Sequence, residues 1–210
     1  MELGRFHVIV DVGPVGPDPF ELTRSVIRGG APLVQIRPKG VTDRDAYVLV
    51  RRIAELCRSN GALCVVNDRP DLALAVGADG CHVGEHDLPV RVVRGLLGLD
   101  AIVGGTARDP VAAAGHQRDG ATYLGVGPVY PTSSKLGLPD PIGVSMVRAV
   151  ADAVDIPVIA ISGVTVDRVP ELIRAGAYGV AVIGAVARAD DPYAMTVRFV
   201  ETICQSVAAS

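Results

Sequence analysis

Gly176-Ala177-Tyr178-Gly179-Val180 is the last of four variants of one phrase in this 210-residue chain. The others are Gly30-Ala31-Pro32-Leu33-Val34, Gly77-Ala78-Asp79-Gly80-Cys81 and Gly120-Ala121-Thr122-Tyr123-Leu124. Each closes a helix-like stretch and opens a strand-like one. The leading glycine suits the position just past a helix, where a positive φ is needed. Intervals of 47, 43 and 56 residues separate the copies. Each interval is about the length of two strand–helix units, so the phrase marks every second strand of a regular array.

Working outward, apolar runs rich in β-branched residues fall near Phe6–Val10, Leu33–Ile36, Leu63–Val66, Cys81–Val83, Ala101–Val103, Tyr123–Val126, Pro157–Ile161 and Gly179–Ile183. They are continuous rather than alternating, as in parallel strands buried on both faces. Amphipathic stretches lie between them. In Asp43–Asn60 the apolar Tyr47, Val50, Ile53, Ala54 and Cys57 recur at helical spacing. Val166–Ala175 and the stretch from Pro192 to Val207 read the same way. Asp18-Pro19, Asp109-Pro110 and Asp191-Pro192 each pair a capping acid with a proline at the first helical position. Thr42-Asp43-Arg44-Asp45 resembles a capping box. Eight units of about 26 residues predict an α/β chain folded as a (β/α)8 TIM barrel, one domain over residues 1–210. A doubly wound open sheet accounts less well for the even spacing.

Composition narrows the function classes. Hydrophobic residues make up 49% and charged residues 20%, which is the make-up of a packed globular chain. A net charge of −3 without a basic block argues against nucleic acid as a partner. No apolar run reaches the ~18 residues of a membrane span, and Met1–Phe6 leads directly into a strand-like segment, unlike a signal peptide. Cys57, Cys64, Cys81 and Cys204 form no CxxC pair and read as buried hydrophobes, which places the chain in a reducing cytoplasm. The histidines at 7, 82, 86 and 116 lack metal-ligand spacing; His82 reads as a core residue and His116 as a helix-end cation. Homo-oligomerisation is left open, since no interface patch is legible.

In a barrel the chemistry sits where the strands end. Ser162-Gly163 follows the seventh strand and Gly184-Ala185-Val186 the eighth, the usual place for a phosphate held by backbone N–H groups. Asn67 and Asp68 follow the third strand, and Asp87 follows the fourth within Gly84-Glu85-His86-Asp87. Adjacent strands lie roughly 4.8 Å apart, so the two aspartates can converge and suit Mg2+. Capping by Asp87 and pairing of Asp68 with Arg69 are the structural alternatives. Arg37 and Lys39 end the second strand and can hold a pyrophosphate, while Gln35 can read a heterocycle edge. Thr106 adds a hydroxyl after the fifth strand. Thr132, Ser134 and Lys135 add hydroxyls and a cation in the long loop after the sixth, a length that points to function. Anion-binding groups with few general bases favour a reaction driven by departure of pyrophosphate.

Val34-Gln35-Ile36-Arg37-Pro38-Lys39, Val66-Asn67-Asp68-Arg69, Gly77–Gly84 with Asp87, and Gly125–Thr132 with Lys135 together resemble the thiamine phosphate synthase family over nearly the whole chain. The resemblance implies a (β/α)8 transferase that joins hydroxymethylpyrimidine pyrophosphate to thiazole phosphate, giving thiamine phosphate and pyrophosphate. It implies a dissociative path, in which pyrophosphate leaves first and the thiazole nitrogen attacks the pyrimidine-methyl cation. It implies that Gln35, Arg37, Lys39 and Asn67 hold the pyrimidine pyrophosphate and that Asp68 and Asp87 hold Mg2+. Lys135 would act with Arg37 and Lys39 on the leaving pyrophosphate. Thr132, Ser134, Gly163, Gly184 and Val186 would contact the thiazole phosphate, with Thr106 also in the substrate site.

The chain departs from the family pattern at several points. Pro38 stands where an acid is common, Glu85-His86 where Gln-Glu is usual, Ser162-Gly163 where Gly-Gly is usual, and Gly184 where serine is frequent. Thr106-Ala107-Arg108 stands where a serine is often followed two residues on by histidine. Two other readings are a thiazole tautomerase-like isomerase, which carries a histidine where this chain has Pro128, and a non-catalytic binder of thiamine precursors or another phosphorylated metabolite.

Overall fold

Strand, helix and strand alternate through the whole computed structural model, which describes residues 3–13, 16–132, 137 and 139–209. The strands are β1 (Phe6–Val12), β2 (Leu33–Pro38), β3 (Leu63–Asn67), β4 (Gly80–Val83), β5 (Ile102–Ala107), β6 (Tyr123–Val126), β7 (Val158–Ile161) and β8 (Gly179–Val182). All pair in parallel in sequence order, and β8 closes onto β1. The helices are α1 (Pro19–Arg28), α2 (Asp43–Ser59), α3 (Pro70–Val76), α4 (Val90–Leu97), α5 (Pro110–Arg118), α6 (Gly143–Ala151), α7 (Val169–Arg174), the short α8 (Gly184–Ala187) and α9 (Pro192–Ala208). The (β/α)8 barrel expected from the repeated phrase is therefore present, with α8 as an extra turn after β8.

Local chemistry explains the boundaries. Gly30, Gly77, Gly120 and Gly176 all have φ between 63° and 92°, as the repeated phrase requires. Asp18, Asp109 and Asp191 each accept hydrogen bonds from backbone N–H groups in the first turn of α1, α5 and α9. Thr42 accepts from the Asp45 N–H at the start of α2. One helix differs from expectation: Val166–Ala175 divides into a 3-10 turn, Val166–Arg168, and then α7. Pro170 has no N–H to donate and fits only the first turn of α7, which fixes the α-helical start at Val169.

Alternate residues along each strand serve two cores. Val8, Val10, Val34, Ile36, Val66 and Val180 face outward against Val50, Ile53, Leu172 and Phe199 of the helices. Ile9, Leu33, Leu63, Val65, Tyr123, Ile159 and Ala181 fill the barrel interior. Cys57, Cys64 and Cys81 are buried as expected, but Cys204 on α9 is exposed. At the N-terminal end of the barrel the half-buried Arg94 of α4 donates to the carbonyls of Gly98, Ala101 and Gly120 and to the Thr122 hydroxyl, at 2.7–2.9 Å. Thr122 in turn accepts from the Val103 N–H at 3.0 Å. Among the described residues no helix is long and apolar enough to cross a membrane.

Candidate active site

The C-terminal ends of β2, β3 and β4 collect charge. Asp11 and Arg37 are register partners on β1 and β2, and Arg37 Nη1 donates to Asp11 Oδ1 at 2.9 Å. Lys39 Nζ lies 2.6 Å from Asp68 Oδ2. Asp68 follows β3 with φ 63°, a left-handed conformation that aspartate adopts more readily than most non-glycine residues, and its N–H donates to the His82 carbonyl at 2.7 Å. Asn67 Nδ2 donates to Asp68 Oδ1. Arg69 takes no part here, because its guanidinium is committed to Asp71 and Asp43.

Asp87 is not a helix cap. Its Oδ2 accepts from the Gly84 N–H at 2.8 Å, while Pro89 occupies the N-cap position of α4. Burial raises the Asp68 carboxyl above the ordinary range, the neighbouring Asp87 raises it further, and Lys39 opposes both. Two carboxylates that disfavour each other's charge at the mouth of a cavity are suited to share a hard cation. Among the described residues no cluster of three or more potential ligands exists. A pair of carboxylates that leaves the remaining positions to phosphate oxygens and water is the donor set Mg2+ accepts.

Several cavities open behind this rim, and two of them meet along the barrel axis. An axial one of about 100 Å³ is lined by Gln35, Arg37, Asn67, Asp68, Asp87 and Thr106 among others. A second, of about 410 Å³, lies between the ends of β6, β7 and β8 and is lined by Thr106, Thr132, Gly163 and Gly184 among others. Thr106, Ile161, Ala181 and Ile183 line both, so the cavities share a wall. The second cavity is walled largely by backbone. Ser162 and Gly163 have φ of 78° and 67°. A Cβ on Gly163 would sit 2.7 Å from the Pro131 carbonyl oxygen and from Tyr130 Cβ, so no larger residue fits. Gly184 and Ala185 reach the cavity, whereas the side chain of Val186 is fully buried in the core. Ser134 and Lys135 lie outside the described residues.

Several contributors were not legible as site residues. Arg168 and Arg188 line the larger cavity. Arg168 Nη1 donates to the Gly163 carbonyl, and its guanidinium lies 4.2 Å from the Tyr130 ring centroid. Tyr130 donates to the Glu171 carboxylate, and burial, then Glu171, raises its phenol pKa. Arg168 ends the 3-10 turn that precedes α7. His82 is not a closed core histidine, since it lines the axial cavity. His116 is not a free helix-end charge: its Nε2 meets the Thr106 carbonyl at 2.9 Å. Arg108 Nη2 donates to the Asp140 carbonyl at 3.0 Å, which links the ends of the β5 and β6 loops.

Comparison with known proteins places the chain in a family. A family model described as thiamine monophosphate synthase matches residues 6–186. The chain belongs to that family. It is 54% identical to a thiamine-phosphate synthase of Salinispora arenicola, over 96% of this chain and 98% of that one. It is 45% identical to one of Natronomonas pharaonis, over 90% and 89%. The solved thiamine phosphate pyrophosphorylase of Pyrococcus furiosus superposes with a TM-score of 0.87 at 32% identity, covering 97% of this chain and 96% of that one. In this member of the thiamine monophosphate synthase family Arg37, Lys39, Asp68 and Asp87 stand together at one rim. Ser162 and Gly184 line the backbone-walled cavity, whereas Arg108 lines a neighbouring one with Asp87 and Thr106.

Proposed function

We propose that this protein is a thiamine phosphate synthase, joining hydroxymethylpyrimidine pyrophosphate to thiazole phosphate with release of pyrophosphate. The observation that carries the reading is the shared wall. A charged axial cavity sized for a small heterocycle abuts a larger cavity suited to a phosphate ester, so groups bound in the two can react with each other.

Gln35, Asn67 and Thr106 orient the pyrimidine in the axial cavity. Arg37 binds phosphate oxygens with its planar fork and Lys39 adds a point charge, so both stabilise the charge that develops as the carbon–oxygen bond breaks. Asp68 and Asp87 would hold Mg2+, which when bound neutralises the departing diphosphate. By the family resemblance Lys135 acts on the same leaving group. The bonding pair of the broken bond goes to the diphosphate, and the lone pair of the thiazole nitrogen forms the new carbon–nitrogen bond. Ile161, Ala181 and Ile183 make the boundary between the cavities apolar, which disfavours attack by water. Backbone around Gly163 and Gly184, with Thr132, anchors the thiazole phosphate. The four free thiols support a reducing cytoplasmic setting.

The test is direct. Purified protein is incubated with both substrates and Mg2+, and pyrophosphate and thiamine phosphate are measured. Stoichiometric formation of both is expected. Release of pyrophosphate without thiamine phosphate, or no release at all, would overturn the reading.

A further inference from the structure

Below the charged rim the barrel interior holds a chain of polar side chains in an otherwise apolar layer. His82 Nδ1 lies 3.0 Å from the Tyr123 hydroxyl on β6, and Nε2 lies 3.0 Å from Thr106 Oγ1 on β5. The ring passes over two glycines. A Cβ on Gly104 would sit 2.3 Å from His82 Nδ1, and one on Gly125 would sit 2.9 Å from Cε1. The strand register aligns His82 with Gly104, Gly104 with Tyr123, and Thr106 with Gly125. Two strands thus give up side chains to make room for one imidazole.

The chain continues at both ends. Burial raises the Tyr123 phenol pKa and the buried Gln35 amide opposes the rise, and both residues line the axial cavity. Tyr123 also packs edge-on against His7, ring centroids 5.1 Å apart. His7 is held neutral by burial, and its Nε2–H donates to the Gly4 carbonyl at 2.9 Å, so it neither supplies nor takes a proton. Gln35 and Thr106 both line the axial cavity.

Counting hydrogens fixes how the ends are related. Tyr123, neutral His82 and Thr106 each have one hydrogen to donate. If Tyr123 donates to Nδ1, then Nε2–H donates to Thr106, and the Thr106 hydrogen is left for a ligand. The Gln35 N–H then satisfies Tyr123, leaving the Gln35 carbonyl to accept. If every donor is reversed, Thr106 accepts and the Gln35 N–H donates. Either way the two ends can offer the cavity a donor from one and an acceptor from the other, with a second Gln35 N–H to spare. That pair matches a ring nitrogen beside an amino group.

We propose that His82, together with Tyr123, is a positioning residue that couples Thr106 to Gln35, so that the two present complementary hydrogen-bond senses to the amino-substituted edge of the pyrimidine. This inference rests on the synthase reading. Its test is a double-mutant cycle on Tyr123→Phe and Thr106→Val, with Thr106→Ser alongside, read as separate KM values for the two substrates. Each single change should raise the KM for the pyrimidine diphosphate roughly tenfold, as for loss of one buried hydrogen bond. The KM for thiazole phosphate should move far less. The double variant should be no worse than the worse single one, because either change breaks the same chain. Thr106→Ser should recover most of what Thr106→Val loses. Should Tyr123→Phe not fold, His82→Gln takes its place in the cycle. Additive losses, or equal increases in both KM values, would overturn the coupling while leaving the synthase intact. Absence of any wild-type turnover would overturn both.

Discussion

The two sides of the barrel mouth are built by different means, one from charged side chains and the other from backbone. At the ends of β2, β3 and β4 the work falls to charged side chains: Arg37 against Asp11, Lys39 against Asp68, and Asp87 beside them. At the ends of β7 and β8 it falls to a backbone that passes close to its neighbours, with Gly163 against Tyr130 and Pro131. A diphosphate that must leave needs strong, mobile counter-charges whose effect grows as the bond breaks. A phosphate that only anchors its substrate needs a fixed cradle. The first side should therefore respond to changes of charge and the second to changes of bulk.

The largest effect is expected on the charged side. Asp87→Asn, or removal of divalent cations with EDTA, should lower kcat on the order of a hundred- to a thousandfold, the scale of losing a transition-state charge interaction. A turnover assay that shows unchanged rates in both treatments would remove the metal and its carboxylate pair from the mechanism. On the other side, Gly163→Ala forces a side chain onto the Tyr130 and Pro131 backbone region at positive φ. We expect kcat/KM for thiazole phosphate to fall roughly thirtyfold, equivalent to about 2 kcal/mol, with the KM for the pyrimidine diphosphate nearly kept. Equal losses for both substrates would erase the contrast between the two sides.

A comparable effect on stability comes from beneath the axial cavity. In the unfolded chain His7 takes up a proton near 6.5, but burial lowers this to about 3 in the fold. Between those values the unfolded state binds more protons, so stability is full above about pH 6.5 and falls as the pH drops towards 3. From pH 7 to pH 5 this contributes a loss of about 2 kcal/mol. Urea unfolding of wild type and His7→Gln at the two pH values checks it, and equal losses in both proteins would show that His7 is not the group responsible. The smallest effect concerns Ser162, which holds φ 78° without being glycine. Ser162→Gly should relieve that strain and stabilise the fold by about 0.5–1 kcal/mol, read as a rise of a few degrees in Tm. No change in Tm would mean the cradle is unstrained there.

The barrel was legible because each of its signals is local. A glycine past a helix, an aspartate before a proline and a run of β-branched residues can each be read within a few positions. The charged rim was legible for a related reason: Arg37, Lys39, Asp68 and Asp87 sit at strand ends, and a barrel brings all strand ends to one side. What could not be read depends on the lateral register of strands far apart in sequence. His82 meets Tyr123 only because Gly104 lies between them with no side chain. Arg37 meets Asp11 because β1 and β2 align those two residues. Arg168 turns toward Tyr130 because Pro170 delays the start of α7. Cys204 was misread because its helix, α9, leaves that position on the solvent side.

Arg94 shows what happens at the end of the barrel away from the chemistry. One guanidinium gathers the carbonyls that close α4 with the turn that opens β6, through Gly98, Ala101, Gly120 and Thr122. A barrel fastened at its base can tolerate substitutions around its opening, since the Arg94 bonds involve none of the opening's loops. Changes of specificity at Ser162, Gly184 or Arg108 can thus accumulate by mutation without the cylinder coming apart.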